Sequence, residues 1–148
     1  MRILLPLLLS LTSFAETDRL TVQPIKPITV AVGKTTTATV GATIEKGYHV
    51  QGNPASMPNL IPTSLTPENS AGFTTGTPTY PKSKLWKLVG TDTKVATFDG
   101  KIEIKLPITG KVEGKHELKA ILRYQACNER NCFPPVKTPV TIPVTVTK

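Results

Sequence analysis

Lys101-Ile102-Glu103-Ile104-Lys105-Leu106-Pro107-Ile108 decides the fold. Successive side chains of an extended chain point to opposite faces, so Ile102, Ile104 and Leu106 share one side and Lys101, Glu103 and Lys105 the other. A helix would scatter the same residues around its circumference. The segment is therefore a half-buried strand. Farther along, His116, Leu118, Ala120 and Leu122 alternate, less cleanly, with Glu117, Lys119, Ile121 and Arg123.

The same signature extends outward. Thr, Val and Ile recur in alternation, broken at short intervals by Gly and Pro. Strands are expected near Thr21–Gln23, Thr29–Val32, Thr35–Ile44, Tyr48–Gln51 and Ile61–Thr66. Others follow near Gly72–Thr77, Lys94–Phe98, Lys101–Ile108, Gly114–Gln125 and Pro139–Thr147. Only Lys82–Val89 suggests a helix, and it is short. Many short strands with frequent turn signals predict an all-β, immunoglobulin-like two-sheet β-sandwich. The proline-rich stretches Asn53–Pro67 and Thr77–Pro81 are expected to be surface loops covering an end of it. No repeat or second domain boundary is visible.

At the N-terminus, Arg2 precedes an apolar run, Ile3 to Leu11, and small residues stand at Ser13 and Ala15. This pattern predicts a signal peptide over residues 1–15 and one mature domain over 16–148. The run is shorter than the roughly 20 residues that span a bilayer, so an exported, soluble protein with no membrane insertion is expected.

The formal net charge is +8, but the lysines are scattered and form no basic block. The few aromatic residues are not interleaved with them as a nucleic-acid groove requires. The charge fits a solvated surface, and no nucleic-acid partner is expected. Two cysteines and two isolated histidines, His49 and His116, fall short of a four-ligand metal site. No serine-nucleophile elbow, phosphate loop or zinc-protease motif is present.

The chemistry-bearing segment is Arg123-Tyr124-Gln125-Ala126-Cys127-Asn128-Glu129-Arg130-Asn131-Cys132-Phe133-Pro134-Pro135. It lies between two expected strands, so the cysteines bracket a hairpin tip. Facing residues of an antiparallel pair come within reach of a disulfide. A bridge around so small a ring contributes only about 2 kcal/mol by chain entropy. A sandwich of this length has a core of its own. Placement at a loop tip gives an attacking thiolate access. On physical grounds, a working disulfide and an inert hairpin staple both remain open. Glu129 and Arg130 put opposite charges in the loop, leaving the direction of any thiol shift undetermined.

Tyr124-Gln125-Ala126-Cys127 followed by Cys132-Phe133-Pro134-Pro135 resembles the redox motif of the N-terminal periplasmic domain of the thiol:disulfide interchange protein DsbD. Lys46-Gly47-Tyr48-His49-Val50, Leu60-Ile61-Pro62-Thr63 and Tyr80-Pro81 resemble the same family, in the right order along the chain. The resemblance implies an immunoglobulin-like periplasmic domain that relays reducing equivalents through Cys127 and Cys132. The partners it implies are thioredoxin-fold periplasmic proteins, including those of cytochrome c maturation, and a membrane electron donor on a separate chain. No cofactor is implied beyond the cysteine pair. The family's second motif cysteine makes the attack, which assigns the mixed disulfide to Cys132 and resolution to Cys127.

Two features depart from the family. The spacer Asn128–Asn131 is one residue shorter than in the best-known member. The region matching that member's cap loop, Thr77–Trp86, has Tyr80 and Trp86 but no acidic pair. Tyr80, Trp86, Tyr48, Tyr124 and Phe133 are the candidates for a cap or site wall. A reading from another class is a non-enzymatic immunoglobulin-like binding or assembly module with a structural disulfide.

Overall fold

The computed structural model describes residues 18–148. The expected signal peptide, residues 1–15, lies outside them. β1 (Leu20–Val22), β3 (Thr35–Ile44), β9 (Lys101–Gly110) and β6 (Phe73–Thr75) form one antiparallel sheet in that order. β2 (Ile28–Ala31), β12 (Val136–Thr147), β10 (Gly114–Tyr124) and β5 (Ser64–Pro67) form the second, with β2 parallel to β12. The two pack as the expected immunoglobulin-like sandwich.

The long strands build the core by their period of two. β3 contributes Ala38, Val40, Ala42 and Ile44, and β9 contributes Ile102, Ile104, Leu106 and Ile108. From the other sheet, β10 adds Leu118, Ala120, Leu122 and Tyr124, and β12 adds Val140, Ile142, Val144 and Val146. Each fully buried Leu or Ile is worth roughly 1.5–3 kcal/mol of transfer free energy. Pro139 and Pro143 are tolerated because β2 pairs only with Val144–Thr147, leaving β12 an edge on that side where they fall. At Gly110 a side chain has no room: a Cβ there would sit 2.8 Å from the Ala31 carbonyl oxygen.

A third ladder, β11 (Ala126–Cys127), β4 (His49–Gln51), β8 (Lys94–Phe98) and β7 (Lys84–Lys87), extends the two-sheet plan. β4 follows β3 through the turn at Gly47, β8 leads into β9 through Gly100, and β11 follows β10 after Gln125. The ladder thus draws chain from both sheets at one end of the sandwich. All three residues of β4 are buried there.

The helix expected over Lys82–Val89 is not formed. Lys84–Lys87 pairs with β8 in strand β7, whose alternation turns Trp86 inward and leaves Leu85 70% exposed. The tertiary ladder overrides a weak local helical pattern.

Candidate functional site

Cys127 ends β11, and the chain turns through Asn128–Asn131 before Cys132 returns opposite it. The Asn128 side chain fixes this turn: its Oδ1 accepts the Arg130 and Asn131 backbone N–H groups, each at 2.8 Å. The Asn128 N–H donates to the Asn131 carbonyl at 2.9 Å, and the Phe133 N–H donates to the Ala126 carbonyl at 2.8 Å. The two Cα atoms are held 4.0 Å apart and the sulfurs are joined at 2.04 Å. The pair is asymmetric. Cys127 is 2% exposed, whereas Cys132 is an exposed residue.

Cys127 pairs with His49 across the β11–β4 ladder. Two residues along β4, on the same face, the Gln51 Nε2 donates to the Cys127 sulfur at 3.3 Å. Gln51 is 1% exposed, and its Oε1 has no hydrogen-bond partner among the described residues. His49 is 2% exposed and stacks on Trp86. Burial lowers its pKa below 6.5, and the negative charge of Asp99 opposes that shift. Asp99 itself pairs with Lys84. Cys127, Gln51, His49 and Trp86 line a cleft of about 240 Å³ that opens beside the cysteine turn, with Leu60 and Val95 among its apolar walls.

Two of the upstream stretches singled out in the sequence, Lys46–Val50 and Leu60–Thr63, meet the cysteine segment here. The Gln125 Oε1 accepts the Ile61 backbone N–H at 3.1 Å, tying the Leu60–Thr63 segment to the cysteine strand. The Thr63 hydroxyl donates to the Gln51 carbonyl at 2.6 Å, and the Asn53 side chain holds the Thr63 carbonyl at 2.8 Å. Segments far apart in sequence thus fix β4 and β11 against each other. Of the proposed wall residues, Trp86 lines the cleft with both cysteines.

Tyr48 and Phe133 lie in a separate cluster, their rings 6.0 Å apart with the Arg19 guanidinium over both. Tyr124 and Phe133 line a smaller pocket of about 140 Å³ with Arg19 and Pro134. Burial raises the Tyr124 pKa, the Asp18 charge raises it further, and contacts with Thr138 and the Leu20 backbone oppose both. Tyr80 lies outside the cleft, packed on the core, with its hydroxyl accepting the Leu65 N–H at 2.9 Å. That bond commits Tyr80 to β5 rather than to the disulfide. Sequence reasoning assigned no role to Gln51. Its one signal is a polar side chain spaced two from His49 in a short strand.

A family model described as "Thiol:disulfide interchange protein DsbD, N-terminal" matches residues 16–143. No curated protein matches the chain. Among solved structures, the reduced DsbD N-terminal domain of Neisseria meningitidis is 20% identical, with a TM-score of 0.50, over 71% of this chain and 74% of that one. The complex between the DsbD and PilB N-terminal domains of Neisseria meningitidis gives 18% identity and a TM-score of 0.50 over 71% and 73%. The N-terminal periplasmic domain of ScsB from Proteus mirabilis is 8% identical, with a TM-score of 0.51, over 85% of this chain and 44% of that one. At these identities the structural likeness bears on the fold alone.

Proposed function

This chain belongs to the family of the N-terminal domain of the thiol:disulfide interchange protein DsbD, and from that premise we propose that it relays reducing equivalents by thiol–disulfide exchange at Cys127 and Cys132. The observation that carries the reading is the asymmetric pair at an open cleft. One cysteine is presented to a partner, and the other is held inside within bonding distance of it.

In the dithiol form, the Cys132 thiolate attacks a partner disulfide. A bond forms between Cys132 and one partner sulfur, and the other partner sulfur leaves with the electron pair. The Cys127 thiolate then attacks the Cys132 sulfur, closes the intramolecular bond and expels the partner as a thiolate. Two electrons have passed to the partner. The reverse sequence, with a donor dithiol, restores the carrier. The cysteine pair is itself the redox centre, so the reaction needs no bound cofactor.

The partners are proteins of thioredoxin fold in the periplasm, reached after removal of residues 1–15, and reducing equivalents come from a membrane electron donor. The complex between the DsbD and PilB N-terminal domains of Neisseria meningitidis supports a protein partner of domain size.

Equilibration in graded thiol buffers tests the reading. A reduction potential among those of working oxidoreductases is expected, whereas a value below about −300 mV with negligible exchange marks a structural staple. Cys127→Ser should accumulate a partner as a mixed disulfide on Cys132. Trapping only with Cys132→Ser reverses the two roles.

A further inference from the structure

We propose that Gln51 is a catalytic residue of the exchange, its side-chain amide stabilising the thiolate of Cys127 and so directing an incoming thiolate to Cys132. The inference rests on the exchange reading above. It begins from the 3.3 Å contact between the Gln51 Nε2 and the Cys127 sulfur, both buried.

A disulfide sulfur carries no proton and can only accept, so the amide turns its N–H toward Cys127. The cost of that choice is visible at the other end of the group, where the buried Oε1 has no partner among the described residues. A buried acceptor left without a hydrogen bond is costly, so the arrangement is held by the rest of the site. The amide is held on β4, where Thr63 grips the Gln51 backbone carbonyl. The donor is therefore in place before the sulfur acquires charge, which is the requirement for electrostatic stabilisation of a developing anion.

When a donor thiolate attacks, it forms a bond to one sulfur and the electron pair of the breaking bond goes to the other. The sulfur with the preorganised N–H is the better leaving group, because a thiol of lower pKa leaves faster. That sulfur is Cys127, so the new bond forms at Cys132. In the opposite direction, the same N–H holds Cys127 as the thiolate that attacks Cys132 and releases the partner.

The other titratable groups facing the cleft do not supply this donor. His49 on β4 has its charged form disfavoured by burial, and Glu129 and Arg130 in the turn oppose each other in sign. The β7–β8 wall and the Met57–Leu60 segment bring no ionisable side chain to the cleft.

The test uses the Cys132→Ser protein, in which Cys127 is the only thiol, titrated by thiolate absorbance with no partner present. Adding Gln51→Leu, which keeps the volume and removes the donor, is expected to raise the Cys127 pKa by about one pH unit, the size of one charge-assisted hydrogen bond. In the protein with Gln51 intact, the side-chain amide resonances of Gln51 should move with the same titration, a readout that needs no substitution at this position. An unchanged pKa, or amide resonances that ignore the titration, overturns the proposal. Absence of exchange with any protein disulfide would instead sink the carrier reading and leave the thiolate–amide contact standing.

Discussion

The His49 imidazole lies against the Trp86 indole, with ring centroids 4.6 Å apart and planes inclined by 33°. The contact buries His49 in the ladder beside the cysteines, and burial lowers its pKa from 6.5. The unfolded chain binds a proton near pH 6.5 that the folded chain refuses until lower pH. Stability therefore falls as pH drops below 6.5, by up to about 1.4 kcal/mol per pH unit until the folded value is reached. His49→Phe retains a ring against Trp86 and removes the titration. Denaturant unfolding between pH 7.5 and 5.5, followed by emission of Trp86, is expected to show a flatter profile for the variant. An unchanged slope would assign the acid sensitivity elsewhere.

Gln125→Ala removes the acceptor of the Ile61 N–H. Leaving that partly buried donor unpaired should destabilise the protein by about 1–3 kcal/mol. The loss is local in origin, so hydrogen exchange at Ile61 and Thr63 should quicken more than in β9. Uniform quickening across both would point to a global effect instead.

These two contacts mark the boundary of what the sequence discloses. The bounds expected for Thr35–Ile44 and Lys94–Phe98 coincide with β3 and β8, and Lys101–Ile108 falls two residues short of β9. In β3 and β9, long alternating runs face one large core, and period and burial agree. β1, β4 and β11 have three, three and two residues, too few to display a period. The third ladder owes its existence to chain leaving both sheets at one end, which no local pattern encodes. Lys84–Lys87 misled for the same reason. Its ladder partner lies across a turn, and one inward Trp86 between lysines does not separate a strand from a helix. The cysteine motif was legible as chemistry. The buried donor behind it was not, because Gln51 acquires its role from the register of β4 against β11.

Tyr124 reports on the opposite side of the site. Its pKa is raised, first by burial and then by the Asp18 charge. The unfolded chain ionises near pH 10.0, whereas the folded chain keeps the proton to higher pH, so stability is lost as pH rises above 10.0. Tyr124→Phe should lessen that alkaline loss, measured by denaturant unfolding between pH 9 and 11. At pH 7 the same variant should stay within about 1 kcal/mol of the parent, because the buried Tyr124 hydroxyl has no hydrogen-bond partner among the described residues to lose.

Burial should separate two aliphatic positions sharply. Ile104 is 0% exposed at the centre of the core, and Leu85 is 70% exposed on edge strand β7. Ile104→Ala is expected to cost about 2–5 kcal/mol through lost transfer energy and a residual cavity. Leu85→Ala should stay within about 0.5 kcal/mol of the parent. Chemical denaturation of both variants decides the matter, and equal losses would contradict the placement of β7.

The Asn128 side chain closes the cysteine turn by accepting the Arg130 and Asn131 N–H groups. Those bonds do not depend on the disulfide, so they should keep the two thiols facing each other after reduction. The closeness of the thiols sets their effective concentration for re-forming the bond. Asn128→Ala releases both N–H groups to solvent and lets the turn spread. Each tenfold fall in effective concentration moves the reduction potential by about 30 mV toward easier reduction. A shift of roughly that size is expected in glutathione equilibration, with overall stability lowered by no more than about 1 kcal/mol. If the potential stays at the parent value while stability falls, the turn serves the fold and the ladder alone brings the sulfurs together.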